Sequence, residues 1–203
     1  MSSPTDKAGP LLSHRALIEL ALEPSQYLSG HLRDLPPPRE LLAGFVVPLV
    51  AIRAVAVLLR ALVEGAAFPG FLLAAGSFLL QIGTWLALSI VLTPLARQFN
   101  IEIDEHTSHG LMAYASVPLW IAGVLYLMPE DPTAIWLWSR GAVLLTASYG
   151  LYIFFEGARA LGVEARQRAA LTVAVGAAYV IVYGVLFALL GLSMFVILFL
   201  FGR

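Results

Sequence analysis

Five long apolar stretches, separated by short polar connections, dominate the hydrophobic pattern of the chain. A helix needs about 20 consecutive apolar residues to cross roughly 30 Å of hydrocarbon, where it must satisfy its backbone hydrogen bonds internally. The pattern therefore predicts an all-α, polytopic integral membrane helix bundle with five transmembrane helices. The predicted spans are residues 41–63, 71–95, 110–128, 134–158 and 169–190.

The apolar run of the last span continues to Phe201, which is too long for one ordinary crossing. Two interpretations stay open for residues 191–201. They either extend the last helix, which then tilts or protrudes, or form a half-helix after a break near Gly191.

The first 40 residues differ from the rest of the chain in pattern. Residues 1–10 are small, polar and rich in Pro and Gly, and are predicted to be disordered. Residues 11–40 mix apolar positions with charges, which is typical of a short amphipathic segment lying in the headgroup region. Pro24 interrupts this segment, and prolines 36–38 predict an extended connector to the first span.

The composition agrees with a lipid environment and excludes several classes of function. Hydrophobic residues make up 60% of the chain and charged residues 12%, against about a quarter charged in soluble domains. The net charge is −1 without a contiguous basic surface, so nucleic acid is not an expected partner. The chain has no Cys, which excludes disulfides and thiolate chemistry. No cofactor is expected, and no catalytic constellation of nucleophile, base and acid can be assembled.

Lys and Arg predict the orientation, because positively charged flanks are retained in the cytoplasm. The connections at residues 64–70 and 129–133 contain neither residue, whereas most basic residues lie on the opposite side if the N-terminus is inside. The sequence therefore predicts a multi-pass protein with a cytoplasmic N-terminus.

Arg53 lies about midway through the first predicted span, where an Arg costs about 2.5–3.5 kcal/mol to insert. It should therefore face the bundle interior, a hydrated cavity or a polar partner. Gln81 and Thr84 lie at similar depth in the second span and are the candidate partners. Arg53 is either an anion or headgroup site, or a structural Arg whose donors are satisfied by the protein. Arg60 is close enough to the outer interface to snorkel.

The fourth span carries Arg140 near its outer end and Glu156 near its inner end. Glu156 is either a carboxylate that handles protons or cations, or one partner of an i,i+3 pair with Arg159.

The loop before the third span carries a candidate metal site. His106, His109 and Glu105 supply imidazole and carboxylate ligands of the kind that bind zinc or another divalent ion. The alternative needs no metal, because Asp104 or Thr107 as the N-cap of the following helix explains the polar cluster.

Four short sequence motifs occur along the chain. Residues 113–123 read A-Y-A-S-V-P-L-W-I-A-G, which is similar to A-Y-S-x-x-P-x-W-x-x-G, and residues 148–152 read S-Y-G-L-Y. Together with L-A-L-E-P-S at 20–25 and V-V-P-L at 46–49, they resemble the Yip (Ypt/Rab-interacting protein) domain family, especially its bacterial inner-membrane branch. The positions that carry the resemblance are Pro48, Tyr114, Ser116, Pro118, Trp120, Tyr149, Tyr152 and Gly157.

The resemblance implies a location in the cell membrane, of the bacterial inner-membrane kind, and no agreed enzymatic activity. Glu156 departs from the pattern, which has an apolar residue before Gly157. The leading hypothesis is a non-enzymatic scaffold or adaptor that binds lipid headgroups or protein partners at the cytoplasmic face. The alternative is a small transporter or channel-like protein with a polar pathway at Arg53, Gln81 and Glu156. A homo-oligomer is also open, because Gly184 and Ala188 form a small-xxx-small pair.

Overall fold

The computed structural model describes residues 13–128 and 135–201, with side-chain detail that excludes residues 14, 135–140, 194 and 197–201. The predicted disorder of residues 1–10 lies outside this range. Within it the chain is helical apart from short connections, and no strand occurs, so the all-α prediction is confirmed. The helices are α1 (His14–Leu22), α2 (Pro24–His31), α3 (Pro38–Leu41), α4 (Val47–Val63), α5 (Ala67–Gln98), α6 (Glu105–Ile121), α7 (Ile135–Ala160) and α8 (Ala165–Phe201).

Five helical stretches among the described residues are long and apolar enough to cross a membrane, which confirms the five predicted spans. They are Pro38–Val63, Ala67–Gln98, Glu105–Leu127, Gly141–Ala160 and Ala165–Ser193. We call the end of the bundle that carries α1, α2 and the 99–104 connection the proximal end. The opposite end, which carries the 64–66 connection, is the distal end.

The last helix answers the question left open by the sequence. α8 runs without interruption from Ala165 to Phe201, so residues 191–201 extend the span and the half-helix alternative is wrong. Its outward surface is apolar and exposed, with Val173, Val180 and Phe195 each more than two-thirds accessible. α8 packs on α5 and α7 only along one side.

The first span begins with an irregular helix for a local reason. α3 is followed by a π-helical turn, Leu42–Val46, and α4 then starts with Pro48 in its first turn. Proline has no N–H to donate and its ring crowds the preceding turn, so a regular helix cannot run through this position unchanged. The π turn absorbs the missing hydrogen bond while the chain stays helical, as intramembrane backbone requires.

The contacts between the spans form a closed cycle. α4 packs on α5, α5 on α8, α8 on α7, α7 on α6 and α6 on α4, while α5 also contacts α6. The distal end of α6 tightens into a 3₁₀ segment, Ala122–Leu127, that packs against α4. A Cβ at Gly123 would lie 2.5 Å from the Cβ of Arg53, so this approach requires glycine.

Contact between α6 and α7 depends on two further glycines of α7. A Cβ at Gly150 would lie 2.5 Å from the carbonyl oxygen of Ala115, and one at Gly157 would overlap the side chain of Leu111. The two helices therefore approach more closely than larger residues would permit. Trp120, Tyr114, Phe45 and Phe154 are all but fully buried in the bundle, and we call these four the aromatic core.

The N-terminal amphipathic segment forms two helices, and they pack into the bundle. Ser13 caps α1 by accepting a hydrogen bond from the N–H of Ala16, at 3.1 Å. At the other end of α1, the hydroxyl of Tyr149 on α7 donates to the carbonyl oxygen of Ala21. Leu28 of α2 is fully buried against α7, so the apolar face of this segment is part of the core.

Candidate functional site

Arg53 is half-buried, and its guanidinium carbon lies 4.3 Å from the ring centroid of Tyr126 in the 3₁₀ segment. This is cation–π geometry. Tyr179 on α8 lies within electrostatic range of both residues. Three elements of the distal half, α4, the 3₁₀ segment and α8, therefore converge on one guanidinium.

α5 carries two polar residues at the level of Arg53. Gly70 of α5 contacts Ala61 of α4 at the distal turn. Because the two helices are antiparallel, Arg53, eight residues before Ala61, is level with Phe78, eight residues after Gly70. Ser77 and Gln81 lie on the same face of α5 as Gly70 and lie on either side of that level. Gln81 is only 3% exposed. We call the group of Arg53, Ser77, Gln81, Tyr126 and Tyr179 the Arg53 cluster.

Several polar atoms of the Arg53 cluster are buried without a partner. Arg53 Nε is buried without a hydrogen-bond partner among the described residues, and the same holds for Ser77 Oγ and Gln81 Nε2. Thr84 is committed elsewhere, because its hydroxyl donates to the carbonyl oxygen of Leu80 at 2.7 Å. Of the two candidate partners, Thr84 is thus bonded within its own helix, and the side-chain amide nitrogen of Gln81 has no partner among the described residues.

Sequence reasoning missed Ser77 and the role of Tyr126. Ser77 had a usable signal, since it precedes Gln81 by one helical turn and shares its face. Tyr126 had none, because it reaches Arg53 through the 3₁₀ tightening at the end of α6, which the hydrophobic pattern does not encode. At the distal end, Arg60 Nε lies 2.8 Å from Glu64 Oε1.

Glu156 lies far from the Arg53 cluster. It is level with Leu111 on α6, whereas Arg53 is level with Gly123, a separation of about 18 Å at 1.5 Å per residue. Its carboxylate Oε2 lies 3.5 Å from Nη1 of Arg159, as the i,i+3 interpretation predicts. Arg140 lies on α7, and its side chain is outside the description.

The candidate metal residues do not converge. His106 Nε2 lies 2.8 Å from the carbonyl oxygen of Pro36, while His109 Nδ1 lies 2.6 Å from that of Glu105. In the described part of the chain no three His, Asp or Glu residues are placed to hold a metal ion. The structure thus corrects the metal hypothesis, because the two imidazoles point to different backbone acceptors.

Asp104 is the N-cap of α6, which selects one of the two caps considered from the sequence. Its Oδ1 accepts a hydrogen bond from the N–H of Thr107 at 2.7 Å. Hydrogen bonding from Thr107 lowers the pKa of the Asp104 carboxyl. The acidic loop therefore has a structural explanation at this position.

The positions that carry the family resemblance are mostly packing residues. Tyr114 and Trp120 belong to the aromatic core, and Gly157 permits the contact of α7 with α6. Ser116 donates to the carbonyl oxygen of Met112 at 2.7 Å. Tyr152 is about half exposed. The remaining positions have roles described above or lie within helices, namely Pro48 after the π turn, Pro118 inside α6 and Tyr149 bound to α1.

A polar cleft opens at the proximal end, where the 99–104 connection meets the turn between α7 and α8. Its volume is about 530 Å³. Several charged residues around this end are exposed. The residues that line the cleft are Arg97, Glu102, Ile103, Asp104, Thr107 and Leu161.

Fold and site together define a five-span, all-α integral membrane protein with a buried polar cluster in its distal half. Comparison of the chain with protein-family models, with curated proteins and with solved structures finds no match. The Yip resemblance accordingly stays a prediction that rests on the short motifs alone.

Proposed function

We propose that this protein is a non-enzymatic membrane scaffold or adaptor of the Yip type, which binds lipid headgroups or protein partners at its proximal face. The observation that carries the proposal is the polar cleft on that face, supported by a packed base. The Lys and Arg distribution predicts that this face is cytoplasmic. The family type rests on the motif resemblance given above.

The packing beneath the cleft favours a fixed platform. Ile103 is buried, and Ser108 and His109, one turn into α6, are buried as well. Thr93 and Ser108 are joined by a hydrogen bond of 3.0 Å between α5 and α6. A docking surface held by buried neighbours loses little conformational freedom on binding, which favours affinity.

The charges of the cleft suit a partner that presents both signs. Arg97 lines the same cleft as Glu102 and Asp104, and all three residues are exposed. A zwitterionic headgroup or a short peptide segment with a basic residue would complement this arrangement.

A photoreactive residue placed at position 161, on the rim of the cleft, tests the proposal in the native membrane. We expect a discrete adduct that is absent when the same residue is placed at position 180, on the exposed face of α8. The charge swap Arg97→Glu with Glu102→Lys keeps the net charge and should abolish the adduct. The same bulk-lipid adducts at both positions, or an adduct unchanged by the swap, would contradict the proposal.

The transporter alternative is weakened by the distance between its polar residues. The aromatic core occupies the bundle between the level of Arg53 and that of Glu156, and its four members are at most 1% exposed. The Cys-free chain permits a direct test with Arg53→Cys and an impermeant thiol reagent. We expect no labelling from the proximal side, whereas Leu161→Cys labels readily; rapid proximal labelling at position 53 would favour a pathway.

A further inference from the structure

The Arg53 cluster holds hydrogen-bond donors that nothing in the described chain accepts. Arg53 Nε and Gln81 Nε2 carry only N–H donors, and the hydroxyl of Ser77 can donate as well. Buried polar atoms in native proteins are nearly always paired, so three orphaned atoms at one level of the bundle need an explanation. An oxyanion is the kind of group that accepts hydrogen bonds from several such donors.

The positive charge of Arg53 also favours an oxyanion as the ligand. A guanidinium stays protonated in proteins, and no carboxylate pairs with Arg53 within the described residues. Among the described residues, the ring of Tyr126 faces its positive charge, with its centroid 4.3 Å from the guanidinium carbon. Stacking engages a face of the guanidinium, whereas carboxylate and phosphate bind to the donors at its edge, where Nε has no partner among the described residues.

The position of the cluster within the membrane indicates what kind of molecule carries the oxyanion. Arg53 is about 15 Å from the distal end of its span, counted along α4 from Val63. Arg53, Ser77 and Tyr126 are only half-buried, so part of each of these residues faces the surroundings of the bundle. Its surroundings at this depth are apolar, which suits a molecule with an oxyanion at one end and a hydrocarbon tail.

We propose that the Arg53 cluster binds the carboxylate or phosphate headgroup of an amphiphile, whose apolar tail lies along the distal half of the bundle. Gln81 and Ser77 orient the headgroup and Arg53 neutralises it. The inference is independent of the proximal cleft, because the aromatic core separates the two sites.

The test uses the purified full-length protein in nanodiscs of neutral phosphatidylcholine, with a photoreactive palmitic acid as the probe. We expect adducts on α5, α8 or the 3₁₀ segment, and their displacement by palmitate. Methyl palmitate has the same tail without the charge and should not displace the probe. Equal displacement by acid and ester would overturn the proposal, because it would show partitioning of the tail alone.

Competitors of different chemistry distinguish the sources of the oxyanion. Displacement by palmitate identifies a fatty acid type of ligand, and stronger displacement by phosphatidic acid identifies a phospholipid; either result supports the proposal. Displacement by butyrate as effective as that by palmitate would overturn the amphiphile, because it would show that the tail contributes nothing.

Arg53→Gln removes the charge and should lower probe labelling about tenfold or more, as expected for loss of a charge-assisted hydrogen bond. Arg60→Gln makes the same charge change outside the cluster and should leave labelling unchanged. Arg53→Lys and Gln81→Met cover the case in which Arg53→Gln fails to fold. Lys should retain most of the labelling and Met should lose part of it. Wild-type labelling in both Arg53→Gln and Gln81→Met would overturn the proposal.

Discussion

The two halves of the bundle differ in how their buried polar side chains are hydrogen-bonded. On the proximal side of Gln81, the hydroxyls of Thr84 and Ser89 donate to carbonyl oxygens of their own helix, and Trp85 Nε1 donates to His109. At and distal to Gln81, three buried polar atoms have no partner in the described chain. Proximally the exceptions are the hydroxyl of Tyr114 and Nε of Arg168.

Packing follows the same division. The aromatic core and the docked α1–α2 segment lie on the proximal side of the Arg53 level, whereas exposed apolar residues such as Leu144 and Leu145 mark the distal half of α7. In lipid, helix association depends on close packing and interhelical hydrogen bonds, because the hydrophobic effect does not favour helix over lipid contact. The comparison implies that the proximal half stabilises the fold, and that the distal half has polar groups available for a ligand.

The largest expected effect comes from removing a proximal side chain. Leu28→Ala leaves a cavity between α2 and α7, and we expect a loss of about 2–5 kcal/mol in the free energy of unfolding. Leu22→Ala is the matched control in the same segment, because Leu22 is 76% exposed. Denaturant unfolding in detergent measures both. Equal effects of the two substitutions would show that α1 and α2 are not part of the stabilising core.

The next largest loss of stability is expected where α6 and α7 approach each other closely. Gly150→Ala places a Cβ 2.5 Å from the backbone oxygen of Ala115, which cannot rotate away, so the helices must separate. We expect a cost of about 1–3 kcal/mol.

Gly141→Ala is the control in the same helix, because a Cβ at position 141 meets nothing within 4 Å. It should be neutral or slightly stabilising, since Ala has the higher helix propensity. A stable Gly150→Ala variant would remove the evidence for tight proximal packing.

Much of this division could not be read from the sequence, for physical reasons. The five spans followed from apolar runs, because lipid imposes length and hydrophobicity on each helix separately. The isolation of Arg53 depends on helix register and on the 3₁₀ segment that brings Tyr126 to it, and both are set by packing between helices. The motif at His106 and His109 misled for the same reason, since shared spacing does not fix where two rings point.

A smaller effect is expected at the proximal end of α6. Asp104→Ala removes the N-cap and should cost about 1 kcal/mol at neutral pH. Because the folded-state pKa of Asp104 is lowered, its stabilisation is present above the unfolded pKa of about 3.9 and is lost as the pH falls through the folded pKa.

Thermal unfolding as a function of pH measures this contribution. The difference between wild type and Asp104→Ala should shrink as the pH is lowered below about 4, while Glu102→Ala, in the same loop and exposed, should show little effect at any pH. A constant difference across this range would mean that the carboxylate charge does not stabilise the cap.

The smallest effect, and one of opposite sign, is expected in the distal half. Gln81→Met replaces a buried side chain of similar length and removes an amide whose Nε2 has no partner. Removing an unsatisfied buried donor is neutral or stabilising, so the free energy of unfolding should stay within about 0.5 kcal/mol or rise. Thr84→Val is the contrasting control, because it removes a buried hydroxyl that has a partner: Thr84 Oγ1 donates to the carbonyl oxygen of Leu80 at 2.7 Å. If Gln81→Met instead destabilised the ligand-free protein by more than about 2 kcal/mol, the amide would be a structural member of the core, and the functional division of the two halves would fail.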